Sequence, residues 1–140
     1  MWTDFHGTYH VYIFIFYCYS NTCVTFVCVC RAEQLVFDGL GNMFVSEAVR
    51  GELWRVYLCK DKLDREKYCS EIYLTNGFSQ FGGLVVSPDG LTLYAGVTFD
   101  DKSHGLISVP TTGNSTWTTV TKNSHQPNGL IGDFKRNMLY

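Results

Sequence analysis

The sequence predicts an all-β fold, in the form of a partial β-propeller of about three blades. Hydrophobic residues make up 46% of the chain and aromatic residues 16%, a mixture that suits the pleated, half-buried surface of a sheet better than a helix bundle. A strand–turn–strand pattern recurs after 49 residues and again after 46 residues. A period of this size, carried by short strands, is typical of propeller blades.

Each copy of the repeat has a leucine before its turn and an aromatic residue after it. The equivalent leucines are Leu35, Leu84 and Leu130. The equivalent aromatic residues, with a one-residue gap in the first copy, are Phe44, Tyr94 and Tyr140. In the second copy Pro88 presets φ and Gly90 tolerates the turn exit. We expect the leucines at superposable positions of the first strand of each blade. Unrelated hairpins in a sandwich are the alternative, and the matched offsets favour the repeat.

Further strands are predicted between the copies of the repeat. Residues 52–58 mix charged and bulky side chains, residues 105–109 are mostly apolar, and residues 115–121 follow a Gly113-Asn114 turn. Residues 61–67 are almost all charged and are expected to form a connection, at most a single helical turn.

The net charge and the cysteine spacing give no support for several functional classes. A net charge of -2 gives no support for a nucleic-acid or anionic-membrane partner. The six cysteines contain no C-x-x-C pair, so the common zinc and thioredoxin motifs are not supported. Cys28 and Cys30 alternate along an expected strand and are explained most simply as small apolar residues. A disulfide framework is the alternative.

Residues 1–31 form an aromatic- and cysteine-rich segment that differs from the regular pattern of residues 32–140. No Asp, Glu, Lys or Arg occurs between Phe5 and Cys30. The segment is compatible with a strand, a turn and a second strand, with a membrane anchor, since the uncharged run is long enough to span, or with a wrongly assigned start of the coding sequence. A cleaved signal peptide fits less well because no Lys or Arg precedes the apolar run.

The number of copies implies an incomplete ring. Propellers typically close with about four to eight blades, and the third copy stops at Tyr140, inside an expected strand. We expect the sequence to be truncated, or to need partners to close the ring. Its open sheet edges predict a risk of aggregation.

Three motifs resemble a known family. The motifs are G-L-V-V-S-P-D-G-L-T-L-Y at 83–94, Q-P-N-G-L at 126–130 and E-Q-L-V-F-D at 33–38. They are similar to blade motifs of the gluconolactonase/LRE-like family, which includes senescence marker protein (regucalcin), and strictosidine-synthase-like propellers are similar as well. The resemblance covers about residues 32–140. It implies a six-bladed propeller with metal-dependent lactonase (hydrolase) activity on a small-molecule lactone.

The resemblance also implies a metal site on the propeller axis, held by a Glu, an Asn and an Asp. It carries onto Glu33 and Asn128 as metal ligands. These residues and Gly82 each lie two positions before a repeat leucine, and Gly82 offers no side chain. Such oxygen ligands suit Ca²⁺ best, with Mg²⁺, Mn²⁺ or Zn²⁺ as alternatives. The family's further aspartate and its acidic general base find no counterpart here, so the catalytic residues are unknown.

Two functional hypotheses follow from this comparison. The chain is a fragment of a metal-dependent lactone hydrolase, or it is a non-catalytic propeller piece that serves as a binding module. Asp100, Asp101 and His104 form a weaker metal candidate, better explained as a solvated loop. Asn114-Ser115-Thr116 fits the N-glycosylation sequon, a triplet that is common by chance and matters only in a secreted chain.

Deleting residues 1–31 tests their separation from the regular pattern. Because the composition changes at Arg31, we expect the shortened chain to keep its β-sheet circular dichroism signal. Loss of the whole β signal would show that the segment is integral to the core.

Overall fold

In the computed structural model, the described part of the chain comprises residues 32–122, 125 and 128–140, together with six two-residue strands among the first 31 residues. It contains strands and turns and no helix. The predicted all-β fold is therefore confirmed.

The short N-terminal strands form three antiparallel pairs. The pairs are β1 (Trp2–Thr3) with β2 (Tyr9–His10), β3 (Tyr12–Ile13) with β6 (Val29–Cys30), and β4 (Cys18–Tyr19) with β5 (Thr22–Cys23). The last two pairs are nested along the chain, as in a strand–turn–strand arrangement. The membrane-anchor interpretation concerns residues that lie mostly outside the described part.

Two four-stranded antiparallel sheets follow, and in both each strand pairs with the next one in the chain. The first sheet consists of β7 (Ala32–Phe37), β8 (Met43–Glu47), β9 (Glu52–Lys60) and β10 (Glu66–Leu74). The second sheet consists of β11 (Phe78–Val86), β12 (Thr92–Phe99), β13 (His104–Pro110) and β14 (Thr118–Lys122). A final hairpin joins β15 (Gly132–Asp133) to β16 (Met138–Leu139). No sheet closes on itself within the described residues.

The three repeat copies have the same register across their turns. The residue after each leucine pairs with the aromatic residue of its own copy. Val36 pairs with Phe44 and Val85 with Tyr94. In the third copy Ile131 and Tyr140 exchange two backbone hydrogen bonds of 2.9 Å. The alignment made from sequence therefore corresponds to backbone pairing, although Leu130 lies two residues before β15 rather than within a strand.

One turn position performs the same task in each copy. Three residues after the repeat leucine, a side-chain oxygen accepts a hydrogen bond from the backbone of the turn. Asp38 Oδ1 accepts from Leu40 N at 2.7 Å, and Ser87 Oγ accepts from Thr92 N at 2.9 Å. The longer contact in the third copy, 3.3 Å, runs from Arg136 N to Asp133 Oδ1. Asp and Ser are preferred at turns because their short side chains reach nearby backbone donors.

Neighbouring copies are joined through the residue just before each leucine. The Gln34 side chain accepts a hydrogen bond from Leu84 N at 2.8 Å. The equivalent residue of the second copy, Gly83, lies so close to the third copy that a Cβ there would be 2.5 Å from Leu130 N. The turns also meet, because a Cβ on Gly90 would collide with the carbonyl oxygen of Asp38. The copies are thus packed side by side in chain order.

The main apolar core is shared by the two four-stranded sheets. The first sheet contributes Phe44, Leu53, Tyr73 and Leu74. The second sheet contributes Phe78, Phe81, Leu84, Leu93, Ala95, Val97, Phe99, Ile107 and Val109. Complete burial of one such large side chain stabilises the fold by about 1.5–3 kcal/mol. The Tyr73 hydroxyl also donates to the carbonyl oxygen of Pro110 at 2.6 Å, which links the sheets directly.

Strand β8 is buried along its whole length. Phe44 belongs to the main core, whereas Met43 and Val45 belong to a smaller cluster with Ala32 and Val56. Successive side chains of a strand point to opposite faces, so β8 has apolar neighbours on both. This explains why three apolar residues, Met43, Phe44 and Val45, follow one another in this strand.

A disulfide between Cys59 and Cys69 links β9 to β10. Cys59 pairs with Lys67 and Cys69 with Tyr57, so the two cysteines are diagonal neighbours, and their Cα atoms are 5.9 Å apart. From the sequence, a disulfide framework was one of two alternatives for the cysteines, and this pair was not assigned. Strand β10 was also missed, because its first residues were placed in the charged connection 61–67.

Replacing Gly83 with alanine tests the contact between the second and third copies. The new Cβ would meet backbone atoms of Leu130 and Gly129 at 2.5 and 2.6 Å, and backbone cannot move aside as a flexible side chain can. We expect a loss of about 1–3 kcal/mol in the free energy of unfolding, the usual effect of overpacking, measured by urea denaturation. Gly129→Ala is the control, because no atom of the described residues lies within 4 Å of its Cβ position. Equal stability of the two variants would contradict the contact.

Candidate functional site

The predicted metal ligands lie on neighbouring segments of the repeat. Glu33 is in β7, Gly82 is in β11, and Asn128 precedes β15. Glu33 and Asn128 are exposed, whereas Gly82 is buried. Each segment is held next to the following one at the adjacent residue, through the Gln34–Leu84 hydrogen bond and the approach of Gly83 to Leu130.

The two side chains that could bind a cation are not joined to each other. Among the described residues, no hydrogen bond or ion pair connects Glu33 with Asn128. Gly82, at the equivalent position between them, contributes no ligand because it has no side chain.

The Glu33 carboxyl is partly desolvated, although the residue as a whole is exposed. Desolvation by its neighbours raises the pKa of Glu33 above its ordinary value of 4.5. Within the described part of the chain no cationic side chain pairs with it to offset this effect. A bound cation would lower the pKa of Glu33 again, because a nearby positive charge favours the ionised carboxylate.

The donor set fits a cation only in part. Carboxylate and amide oxygens are suitable ligands for a hard cation, but Ca²⁺ takes about six to eight oxygens, and the three equivalent positions offer two ligand-bearing residues, Glu33 and Asn128. In the described residues there is no group of three His, Cys, Asp or Glu side chains able to hold a metal. The remaining ligands would have to come from water or from residues other than these.

The weaker metal candidate in the loop after β12 is occupied by other interactions. Asp101 forms an ion pair with Lys122 at 2.7 Å and accepts from the Ser103 hydroxyl and backbone. These contacts, led by the Lys122 hydrogen bond, hold the pKa of Asp101 far below its usual range. His104 Nδ1 lies 3.0 Å from the Thr98 hydroxyl instead. The solvated-loop interpretation of this cluster agrees with these contacts.

Two buried carboxyl groups have structural tasks. The Asp38 carboxylate accepts from Leu40 and Asn42 in the first repeat turn. Glu47 is only 2% exposed, and its carboxylate accepts from the backbone of Val49 and Arg50 in the turn between β8 and β9. Neither is available as a general base, since each is held by the backbone donors of its own turn.

A polar and aromatic cluster around Arg55 was not found from sequence. The guanidinium lies 4.8 Å from the ring centroids of both Tyr57 and Tyr73, and it pairs with Glu71 at 2.5 Å. Its Nε is buried and has no hydrogen-bond partner among the residues that the structure describes. Tyr73 lies eighteen positions after Arg55 in the sequence. Strand β10, which the sequence patterns did not predict, brings Tyr73 beside Arg55.

A cleft of about 450 Å³ lies between the end of β10 and the loop before β14. Its walls combine apolar and polar side chains, among them Tyr73, Asn76, Ser115, Thr116 and Trp117. The ring of Trp117 packs on Phe78 and Phe99, with centroids 5.0 and 6.0 Å apart. No sequence motif marks this cleft, because its two walls belong to different sheets.

The comparisons with known proteins leave the family open. No family model matches the chain, and no curated protein or solved structure matches it either. Among the described residues, no helix is long and apolar enough to cross a membrane.

Substituting Glu33 with glutamine tests the desolvation of its carboxyl. Because the folded-state pKa is raised, ionisation of Glu33 costs stability, and this cost grows as the pH rises from below 4.5 through the folded pKa. We expect Glu33→Gln to equal the parent chain at low pH and to be slightly more stable near neutral pH, as measured by urea midpoints. Glu66→Gln, at an exposed position of β10, controls for loss of one negative charge. A difference in stability between Glu33→Gln and the parent chain that stays constant across the pH range would contradict the prediction.

Proposed function

We propose that this chain is part of a β-propeller lactone hydrolase and that Glu33 and Asn128 are its contribution to a divalent-cation site. The observation that carries the proposal is the equivalence of residues 33, 82 and 128, each two positions before a repeat leucine on segments packed side by side. Equivalent positions of successive blades converge on one axis in a propeller. A ligand set drawn from them is therefore a natural place for a cation.

The propeller assignment is supported by three features of the chain. Both complete sheets are four-stranded meanders, as propeller blades are. The repeat copies have matching registers across their turns. Finally, the first strands of the two sheets are linked by the Gln34–Leu84 hydrogen bond, and Gly83 makes the corresponding approach to the third copy.

The chemistry of the cation explains why these residues would matter. We favour Ca²⁺, because Glu and Asn supply oxygen ligands, and we keep Mg²⁺, Mn²⁺ and Zn²⁺ as alternatives. A bound cation would polarise the lactone carbonyl and stabilise the oxyanion that develops on hydrolysis. The role of the chain's own residues is to hold it, through the Glu33 carboxylate and the Asn128 amide oxygen. No described residue is assigned as the general base.

The second candidate is a non-catalytic propeller piece that acts as a binding module. Gly82 favours it, because the middle position of the candidate site carries no side chain. The buried carboxylates of Asp38 and Glu47 favour it as well, since both are engaged in turns.

Paramagnetic broadening distinguishes these alternatives. We expect a small amount of Mn²⁺ to broaden the amide NMR signals around residues 33, 82 and 128 together, and added Ca²⁺ to reverse the effect. Glu33→Gln and Asn128→Ala should each weaken it, while Glu66→Gln should not. Broadening confined to other acidic loops, such as the one containing Asp61 and Asp64, would exclude the proposed site and leave the binding module.

Catalysis by the 140-residue chain alone is a separate question. With two ligand residues, most of the coordination sphere would be left to water, so we expect little or no hydrolysis of simple lactones with added Ca²⁺, Mg²⁺, Mn²⁺ or Zn²⁺. Metal-dependent turnover that disappears in both Glu33→Ala and Asn128→Ala would overturn this expectation. It would mean that copies of the chain assemble a complete site.

A further inference from the structure

We propose that Asn114 carries an N-linked oligosaccharide, attached in the oxidising compartment in which the chain folds. The proposal is independent of the lactonase function. It combines an accessible acceptor in the loop between β13 and β14 with a disulfide in the other sheet.

The acceptor loop is anchored at both ends and projects between them. At its start the buried Thr111 hydroxyl donates to the carbonyl oxygen of Gly90 at 2.6 Å. At its end Trp117 packs against Phe78 and Phe99. The residues between these anchors, 112–116, contain the whole sequon.

The tip of this loop has room for a bulky modification. Thr112, Gly113 and Asn114 are all exposed. Gly113 has a φ of 82°, and no described atom lies within 4 Å of the place where its Cβ would be. The Asn114 amide makes no hydrogen bond in the described part of the chain. A glycan on this nitrogen would extend into solvent without displacing any packed group.

The sequence around the acceptor satisfies the recognition rule. Asn114-Ser115-Thr116 is the one N-x-S/T triplet in the 140 residues, and its middle residue is not proline. Thr116 is exposed, so its hydroxyl is not required by the core. Substitutions at Asn114 and Thr116 can therefore remove the sequon without removing a buried contact.

The disulfide indicates the compartment in which the sequon would be used. Cys59 and Cys69 are both half-buried, in a hairpin at one edge of the first sheet. Disulfides persist in oxidising environments such as the endoplasmic reticulum lumen and are rare where glutathione and thioredoxin keep thiols reduced. N-glycosylation of Asn-x-Ser/Thr takes place in the same lumen. The disulfide therefore indicates that the chain folds in the compartment where the Asn114-Ser115-Thr116 triplet can be glycosylated.

The transfer itself is a substitution at the first sugar carbon. The Asn114 amide nitrogen forms a bond to C1 of an oligosaccharide whose donor is a polyprenyl diphosphate. The bond from C1 to the diphosphate oxygen breaks, and the lipid diphosphate leaves with its electron pair. The amide loses one proton to a base of the transferase, so no oxidant or reductant is needed.

Expression of the full chain behind a cleavable secretion signal in animal cells tests the proposal. We expect a slower-migrating form that collapses on treatment with a peptide N-glycanase, which leaves aspartate at position 114 in the peptide mass spectrum. Asn114→Gln and Thr116→Ala should abolish the slow form. Thr116→Ser preserves the sequon and should retain it, which separates recognition from any effect on folding.

Thiol trapping of the same samples tests the second half of the argument. Alkylation before reduction should leave Cys59 and Cys69 unmodified, because their sulfurs are bonded to each other. An unmodified Asn114 in chains that have entered the lumen would overturn the proposal. So would a slow form that persists in Asn114→Gln, or free thiols at both cysteines of the glycosylated chain.

Discussion

The fold depends on one apolar layer that two sheets have to share. Phe44 and Leu53 on one side and Phe81 and Leu93 on the other are fully buried, and neither sheet could bury its own set without the other. An isolated meander would expose one of its two faces to water. Register, turn chemistry and the close approaches between first strands all serve to bring these faces together. Separating the two sheets would therefore leave each with an exposed aromatic face.

The sequence predicted those parts of the fold that are encoded locally. The all-β class and the equivalence of the three copies follow from alternating apolar residues and from turn residues such as Asp38 and Ser87, whose side chains act within a few positions. Strand β10 was missed because it begins with Glu66-Lys67, and all its residues as far as Glu71 are polar, aromatic or cysteine. A strand at a sheet edge needs no continuous apolar pattern, since one side of it has no neighbour in the sheet. The Cys59–Cys69 pairing was beyond prediction for a related reason, because six cysteines permit many pairings and the sequence does not choose among them.

The candidate site was less accessible to sequence than the fold. Repeat spacing alone identified residues 33, 82 and 128 as equivalent, but the interpretation of Glu33 and Asn128 as metal ligands came from the resemblance of the motifs around them. The contacts of Gln34 and Gly83 explain how these positions are held on adjacent segments. Long-range groups such as Arg55 with Tyr73, or the cleft beside Trp117, depend on which strands become neighbours. No local spacing carries that information.

The hairpin between β9 and β10 has a consequence for how the protein would respond to proteases. Its turn is exposed at Lys62 and Arg65, and Leu63 is 72% exposed, which makes it a favourable place for cleavage. The Cys59–Cys69 bond encloses this turn. A single cut there would produce two polypeptides that stay covalently joined and keep their sheet pairing. In denaturing gel electrophoresis such a nicked protein would migrate as one species without a reducing agent. After reduction it would separate into its two fragments.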